Sequence, residues 1–234
     1  MVNKNAIEYW YPKIRGIVPT PRTIIVPAKR KWDKSGNYIY VPKKYVKEIV
    51  RQTENFIFPI FLRANDSSTK HDWKDTCFVP SKDVLEKHIQ RIAYECECLD
   101  VFGGAPVSSF AIREYIEMDS KFSYFWGGLP INPERRYFIN DHRVVCRHFY
   151  WTTESIKDKQ YEALLNEMNK ETEEEKKLLN KYACKIAKIF DGYWSIDFCR
   201  AKTGKWYCID MAVGYNSWHP ECGLKIKKGE QECL

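Results

Sequence analysis

The chain has 234 residues, a net charge of +7 from 38 Lys+Arg against 31 Asp+Glu, 44% hydrophobic residues and 15% aromatic ones. That length suits one large domain or two small lobes sharing a cleft, and that apolar content suits a real core. No apolar run is long enough to cross a bilayer, and the polar, aromatic stretch Met1–Lys13 lacks the apolar centre of a signal peptide. A soluble, cytoplasmic protein with no membrane partner is therefore expected.

Nine cysteines are spread along the chain, at 77, 96, 98, 146, 184, 199, 208, 222 and 233. Cys96-Glu97-Cys98 is the single close pair and no CxxC occurs, so a four-ligand zinc site has no support from spacing. Reduced thiols acting as small buried hydrophobes are expected. The mild basic excess suits a phosphate-bearing ligand or an acidic partner. It leaves nucleic acid open, although the lysines form no single stripe; most are expected on a solvated Lys/Glu surface.

The first forty residues read as short extended pieces. Thr23–Val26 is β-branched between Pro21 and Pro27, and Asn37–Val41 follows the Ser35-Gly36 turn. Lys43–Phe56 reads as a helix with Tyr45, Val46, Ile49 and Val50 on one face. Phe58–Arg63 is an apolar strand ending in an arginine, Asn65–Asp75 a polar loop, and Thr76–Val79 the next strand. Ser81 is placed to cap a helix whose face is Val84, Leu85, His88, Ile89, Ile92, Ala93 and Cys96. Gly103-Gly104-Ala105-Pro106 breaks the pattern before a strand at Ser109–Ile116. Arg135–Asn140 and Arg143–Trp151 form a hairpin about Asn140-Asp141. Thr172-Glu173-Glu174-Glu175 has the capping-box form and opens a helix to about Phe190. Trp194–Arg200 and Lys205–Ala212 make the clearest hairpin, turning at Thr203-Gly204, and the tail from Trp218 is aperiodic. This order predicts an α+β fold with antiparallel sheets.

The chain has no GxxxxGK[ST], no GxGxxG after a strand, no GxSxG and no HExxH. Three separated clusters carry chemistry instead. In Phe61–His71 a strand delivers Arg63, a rigid bidentate donor, to a loop bearing the hydroxyls of Ser67, Ser68 and Thr69 and the mobile charge of Lys70. Such a loop can close over a polyphosphate; the plain alternative is a polar surface loop. In Ile112–Glu117, Arg113 and Tyr115 share one strand face, and Glu114 and Ile116 the other. A charge pointing inward there needs a partner or ligand; the plain alternative is a salt-bridged edge strand. The third cluster is carboxylate-rich. Glu134, Arg136 and Phe138 alternate on one face, while Asp197 and Asp210 lie on the two strands of one hairpin, where they can meet across the ladder. Two carboxylates that close favour a hard cation such as Mg²⁺, with Asn216 a short loop beyond; the alternative is pairing with the many Lys and Arg.

Phe61-Leu62-Arg63 to Lys70, Arg113–Ile116, Glu134-x-Arg136-x-Phe138, then Asp197 and Ile209-Asp210 come in one order and spacing that resembles the ATP-grasp superfamily, and within it the small phage and prokaryotic ATP-grasp proteins. The resemblance covers roughly Phe58 to Ser217. It implies two lobes with antiparallel sheets flanking a nucleotide cleft, divided as 1–105, the lobe with the phosphate loop, and 106–234, the lobe with the metal-binding hairpin. It implies ATP and Mg²⁺ as cofactors. Arg63, Lys70, Ser67 and Ser68 would then contact phosphates, and Glu114, Tyr115 and Ile116 would lie beside the adenine. Arg113 would face phosphate or an acyl phosphate, and Glu134 and Arg136 would line the cleft. Asp197, Asp210 and Asn216 would hold the metal, and Arg113, Arg136 and Lys70 would act in catalysis. The chain departs from the Glu-x-Asn with which many members end the last strand, reading Asp210-Met211-Ala212, so Asn216 stands in for the missing ligand.

The activity so implied is an ATP-dependent, ADP-forming carboxylate–amine ligase using an acyl phosphate, with a peptide or protein end among the candidate substrates. No side-chain nucleophile is needed, and His71, His142, His148 and His219 are given no role. One rival is a kinase, nucleotidyltransferase or nucleic-acid ligase, although the Lys-x-Asp-Gly of RNA ligases is absent. Another is a non-enzymatic basic binding module.

Overall fold

A computed structural model describes residues 2–36, 38–101 and 106–220. Asn37, Gly103-Gly104-Ala105 of the expected break, and the aperiodic tail from 221 onward lie outside the described residues. The chain clusters into two compact units: Met1–Glu8 with Pro21–Ile116 and Ser123–Pro130, and Tyr9–Thr20 with Glu117–Phe122 and Ile131–Leu234. Both four-stranded sheets are antiparallel throughout.

The chain opens with helix α1 (Ile7–Ile14), where extended pieces were expected. Its signal is present in the sequence: Ile7, Trp10, Tyr11 and Ile14 recur at helical spacing and all are buried. In the first unit, β1 (Thr23–Pro27) is followed by the short pair β2 (Lys31–Trp32) and β3 (Ile39–Tyr40). Helix α2 (Lys43–Gln52) ends earlier than the sequence suggests, because the chain tightens into a 3-10 turn at Thr53–Asn55. Then come β4 (Ile60–Ala64), β5 (Phe78–Val79), helix α3 (Leu85–Val101) and β6 (Ser109–Glu114). The sheet order is β1-β6-β4-β5. β6 is thus paired on both sides, which overturns the edge-strand alternative for the segment bearing Arg113.

The core of this unit gathers Val46 and Ile49 of α2 and Leu85, Ile89, Ile92, Ala93 and Cys96 of α3. Against them lie Ile60, Leu62 and Ala64 of β4 and Phe110 and Ile112 of β6. Ser81 stands at the N-cap position, but its side chain makes no capping hydrogen bond; a 3-10 turn at Lys82–Val84 leads into α3 instead.

Strands β7 (Phe122–Tyr124) and β8 (Leu129–Ile131) form a small two-stranded ribbon that the sequence did not announce. The second unit holds β9 (Glu134–Asn140), β10 (Arg143–Phe149), α4 (Glu162–Met168), α5 (Glu173–Ala187), β11 (Tyr193–Arg200) and β12 (Trp206–Val213), with sheet order β10-β9-β11-β12. The β9–β10 turn falls at Asp141-His142, both with positive φ (39° and 70°), one residue later than expected. The β11–β12 turn uses Gly204 at φ +83°, a conformation glycine adopts without steric cost. The capping box of α5 is present in full: Thr172 Oγ1 accepts from Glu175 N–H (3.2 Å) and Glu175 Oε2 from Thr172 N–H (3.1 Å). One face of this sheet packs on α5, as the Tyr182–Phe198 ring contact shows, and Phe190, just past the helix, packs on Trp194 of the same face. Arg135, Tyr137, Ile139, Trp194, Ile196 and Phe198 are all buried and alternate with the residues of the opposite face.

Candidate functional site

In the first unit the expected phosphate loop is half-buried from Asp66 to Lys70, while His71, Lys74 and Asp75 are exposed. Arg63 is buried at the end of β4, and its Nε donates to the Ala64 carbonyl (3.2 Å). The chain then folds back: Ala64 N–H donates to the Ser67 carbonyl (3.1 Å), and Ser67 Oγ accepts from Thr69 N–H (3.3 Å). Thr69 takes a left-handed conformation (φ 48°), costly for a β-branched residue and common where geometry serves a site. Buried Thr76 ties the far end of the loop, its single hydroxyl proton shared between the carbonyls of Thr69 (2.8 Å) and Asp72 (2.6 Å). Ser68 and Lys70 are half-buried, and Lys70 opens a 3-10 turn at Lys70–Asp72. Gly127 backs the loop. Its N–H donates to the His71 carbonyl (3.2 Å), and a Cβ there would lie 2.2 Å from Trp73 N.

Arg113, near the end of β6, is buried, with Nε donating to Thr23 Oγ1 (3.3 Å). Glu114 turns toward β1, where Oε1 accepts from Arg22 N–H (2.7 Å). Ile116 lies past the strand and is half-buried. Tyr115 joins an aromatic group that sequence inspection missed: it packs edge-on against Phe78 (5.2 Å between centroids), which stacks on Trp73 (5.7 Å), and Trp73 reaches Phe61 (5.9 Å). The rings come from β4, the loop, β5 and the end of β6, so no local pattern gathers them.

In the second unit one transverse row crosses all four strands on the face away from α5. Cross-strand register places His148 opposite Arg136, Arg136 opposite Asp197, and Asp197 opposite Asp210. The two acids expected to meet across the hairpin are therefore register partners. Arg136 grips Asp197 in a bidentate pair, Nε to Oδ1 and Nη2 to Oδ2, each 2.8 Å. Burial opposes the guanidinium charge, but Asp197, with help from Tyr150 and Glu134, outweighs it and holds Arg136 above its ordinary value. The third fork nitrogen, Nη1, donates to the Trp218 carbonyl (3.0 Å), and the guanidinium carbon lies 4.5 Å from the Tyr150 ring centre. Glu134 is buried on the same strand face as Arg136. Asp210 is half-buried, and its Oδ1 accepts from Met211 N–H (3.0 Å). Asn216 lies in the 3-10 turn Gly214–Asn216 with its side chain exposed.

Asp197 and Asp210 are cross-strand register partners, and carboxylate oxygens are the ligand type a hard cation takes. Each carboxylate offers about four lone-pair positions, so the bidentate arginine leaves Asp197 acceptor capacity while fixing its orientation.

No curated protein sequence matches the chain. Among solved structures, Cdc123 from Schizosaccharomyces pombe is 15% identical, over 91% of this chain and 86% of that one, with a TM-score of 0.58. The biotin carboxylase domain of Hydrogenobacter thermophilus 2-oxoglutarate carboxylase, solved with MgADP and bicarbonate, is 13% identical over 90% of this chain, with a TM-score of 0.53. The N5-carboxyaminoimidazole ribonucleotide synthetase of Thermotoga maritima is 11% identical over 89% of this chain, with a TM-score of 0.48. The chain spans 39% of the length of the carboxylase chain and 41% of the synthetase. At these identities the likeness is one of fold. A family described as an ATP-grasp domain, the third family of its clade, matches residues 51–228, which take in the loop, β6 and the whole transverse row. The chain belongs to that ATP-grasp family.

Proposed function

We propose that the chain is an ATP-dependent carboxylate–amine ligase that releases ADP. The observation that carries this reading is the row Arg136–Asp197–Asp210 on one sheet face, inside a chain that belongs to an ATP-grasp family. Asp197 and Asp210 would hold Mg²⁺, which when bound neutralises phosphate charge. Arg136 fixes the orientation of the Asp197 carboxylate. In the first unit, Lys70 and the hydroxyls of Ser67 and Ser68 offer donors to phosphate oxygens, with Arg63 and Arg113 as buried cations behind them. The backbone of Glu114, Tyr115 and Ile116 is the candidate for reading the adenine edge, and Trp73 and Phe78 supply flat apolar surface beside Tyr115.

The chemistry is positional. A substrate carboxylate oxygen attacks the γ-phosphorus, and the bond to the β-phosphate oxygen breaks, releasing ADP. An amine then attacks the acyl carbon, phosphate leaves, and the amine gives up a proton. The biotin carboxylase domain, solved with MgADP and bicarbonate, supports the choice of a nucleotide and a small carboxylate-type substrate.

The test offers the full chain MgATP, a pool of peptides and small carboxylic acids, and hydroxylamine as the amine. The reading predicts a hydroxamate in step with ADP and phosphate. AMP and pyrophosphate would instead show nucleotidyl transfer and overturn it.

A further inference from the structure

Beyond the nucleotide chemistry, and independent of it, three side chains far apart in sequence converge in the second unit. Cys146 and His148 sit two residues apart on β10, and His219 follows β12 by six residues. Cys146 Sγ lies 3.1 Å from His219 Nε2, and His219 Nε2 lies 3.1 Å from His148 Nε2. All three atoms fall within 4.8 Å of one another, and all three residues are half-buried. We propose that Cys146, His148 and His219 form a binding site for a transition-metal cation of the zinc class.

The three donor atoms suit a shared cation better than they suit one another. His219 Nε2 faces both a thiol and a second imidazole nitrogen. One ring nitrogen has either a single proton to give or a single lone pair, so it satisfies one neighbour and not both. A cation between the three atoms uses every lone pair at once. Tetrahedral zinc, with bonds of about 2.0–2.1 Å to nitrogen and about 2.3 Å to sulfur, sets donor atoms roughly 3.3–3.7 Å apart. The separations of His219 Nε2 from Cys146 Sγ and from His148 Nε2, 3.1 Å each, come within a few tenths of an ångström of that spacing, and the third pair lies within 4.8 Å. The far nitrogen of His219 is also placed as a metal ligand requires: Nδ1 points to the Tyr193 hydroxyl at 3.5 Å, leaving Nε2 for the cation. The ligand set, one thiolate and two imidazoles, selects a borderline metal over Mg²⁺. Binding releases the Cys146 thiol proton to solvent, and the thiolate charge offsets half of the cation's. The nearby Arg136 guanidinium does not forbid the site, because Asp197 neutralises it.

The role read from the geometry is a clasp. The segment after β12 runs back across the sheet face. Ser217 Oγ meets Ser195 Oγ of β11 (2.6 Å), the Trp218 carbonyl takes Arg136 Nη1 of β9, and the His219 ring lies 4.2 Å from Phe138 of β9. A metal joining His219 to β10 fastens this segment over the Arg136–Asp197 pair. Among the described residues three ligands are present, and the fourth tetrahedral position is left to a further donor.

The experiment uses the untagged full chain, reduced and stripped of metal, titrated first with zinc and then with Co²⁺ as a spectroscopic substitute. The expected result is one zinc per chain, and a thiolate-to-cobalt charge-transfer band that requires no mutation to interpret. Cys146→Ser should abolish that band, and His148→Ala should weaken zinc binding at least about tenfold. Cys98→Ser, an exposed cysteine, should change neither. A chain that binds no zinc, a cobalt spectrum without thiolate character, or a Cys146→Ser protein that keeps the band would each overturn the proposal.

Discussion

Arg136 and Asp197 face each other across β9 and β11 with 11% and 8% of their side-chain surfaces exposed. Two charges held that far from water stabilise the fold only as a pair, and removing one strands the other. Arg136→Ala is therefore predicted to cost about 3–5 kcal/mol, measured by urea unfolding. A loss within the range of an ordinary surface substitution would show that water reaches Asp197 freely. The sequence shows Arg136 alternating with Glu134 and Phe138 on one strand face, and Asp197 on a strand of the following hairpin. Their pairing is not legible there, because it depends on register between strands 61 residues apart. The same distance hides the Cys146–His148–His219 group: spacing rules find metal ligands that neighbour one another in the chain, and here 71 residues separate the two histidines. Asn216 was legible only as a polar residue near the right place, and its exposed side chain shows how little one position says about orientation.

Helix α5 is joined to the strand system through Arg200, at the end of β11. Its guanidinium binds Asp119 through Nε (3.2 Å) and Nη2 (2.9 Å), and Glu175 in the first turn of α5 through Nη1 (2.8 Å). Burial pushes both carboxyls up, but Lys121 and Arg200 at Asp119, and the Thr172 amide and Arg200 at Glu175, outweigh it and hold both below their ordinary values of 3.8 and 4.5. For a depressed carboxyl the unfolded chain binds more protons, so stability is present above the unfolded value and is lost as pH falls through the folded one. Unfolding free energy should hold steady from neutral pH to about 5 and fall below that. Arg200→Met should flatten part of the fall, leaving the shares due to Lys121 at Asp119 and to the Thr172 amide at Glu175. A wild-type profile and an Arg200→Met profile of the same shape would contradict this linkage. Much of α5 was legible because capping is local: Thr172 and Glu175 lie three residues apart and bond to each other's backbone. The expected cap at Ser81 has the right residue in the right place, yet the entry through a 3-10 turn leaves its hydroxyl without that role. The β7–β8 ribbon and the two-residue β2 are too short for any period to register, whereas β3 and β5 fall inside the strands expected at Asn37–Val41 and Thr76–Val79.

At the scale of the molecule, the antiparallel α+β fold could be read because most of the long strands come as sequence neighbours with clear turns, as at Gly204. The order of the sheets could not, since β6 enters between β1 and β4 from more than forty residues away and thereby becomes central. Chemistry of one kind recurs in order along the chain: a cation at the end of β4, a buried cation near the end of β6, an arginine on β9, and acids on β11 and β12. That succession, and not any one motif, carries the nucleotide reading.

Calorimetric titration of Mg-ATP into the wild-type chain, Lys70→Ala and Asp210→Asn tests that reading most directly. Saturable binding by the wild type, lost in both variants while each retains its fold by circular dichroism, is the predicted result. No binding by the wild type, or binding undiminished in both variants, would contradict the assignment of this chain as a Mg-ATP-dependent ligase acting through these residues.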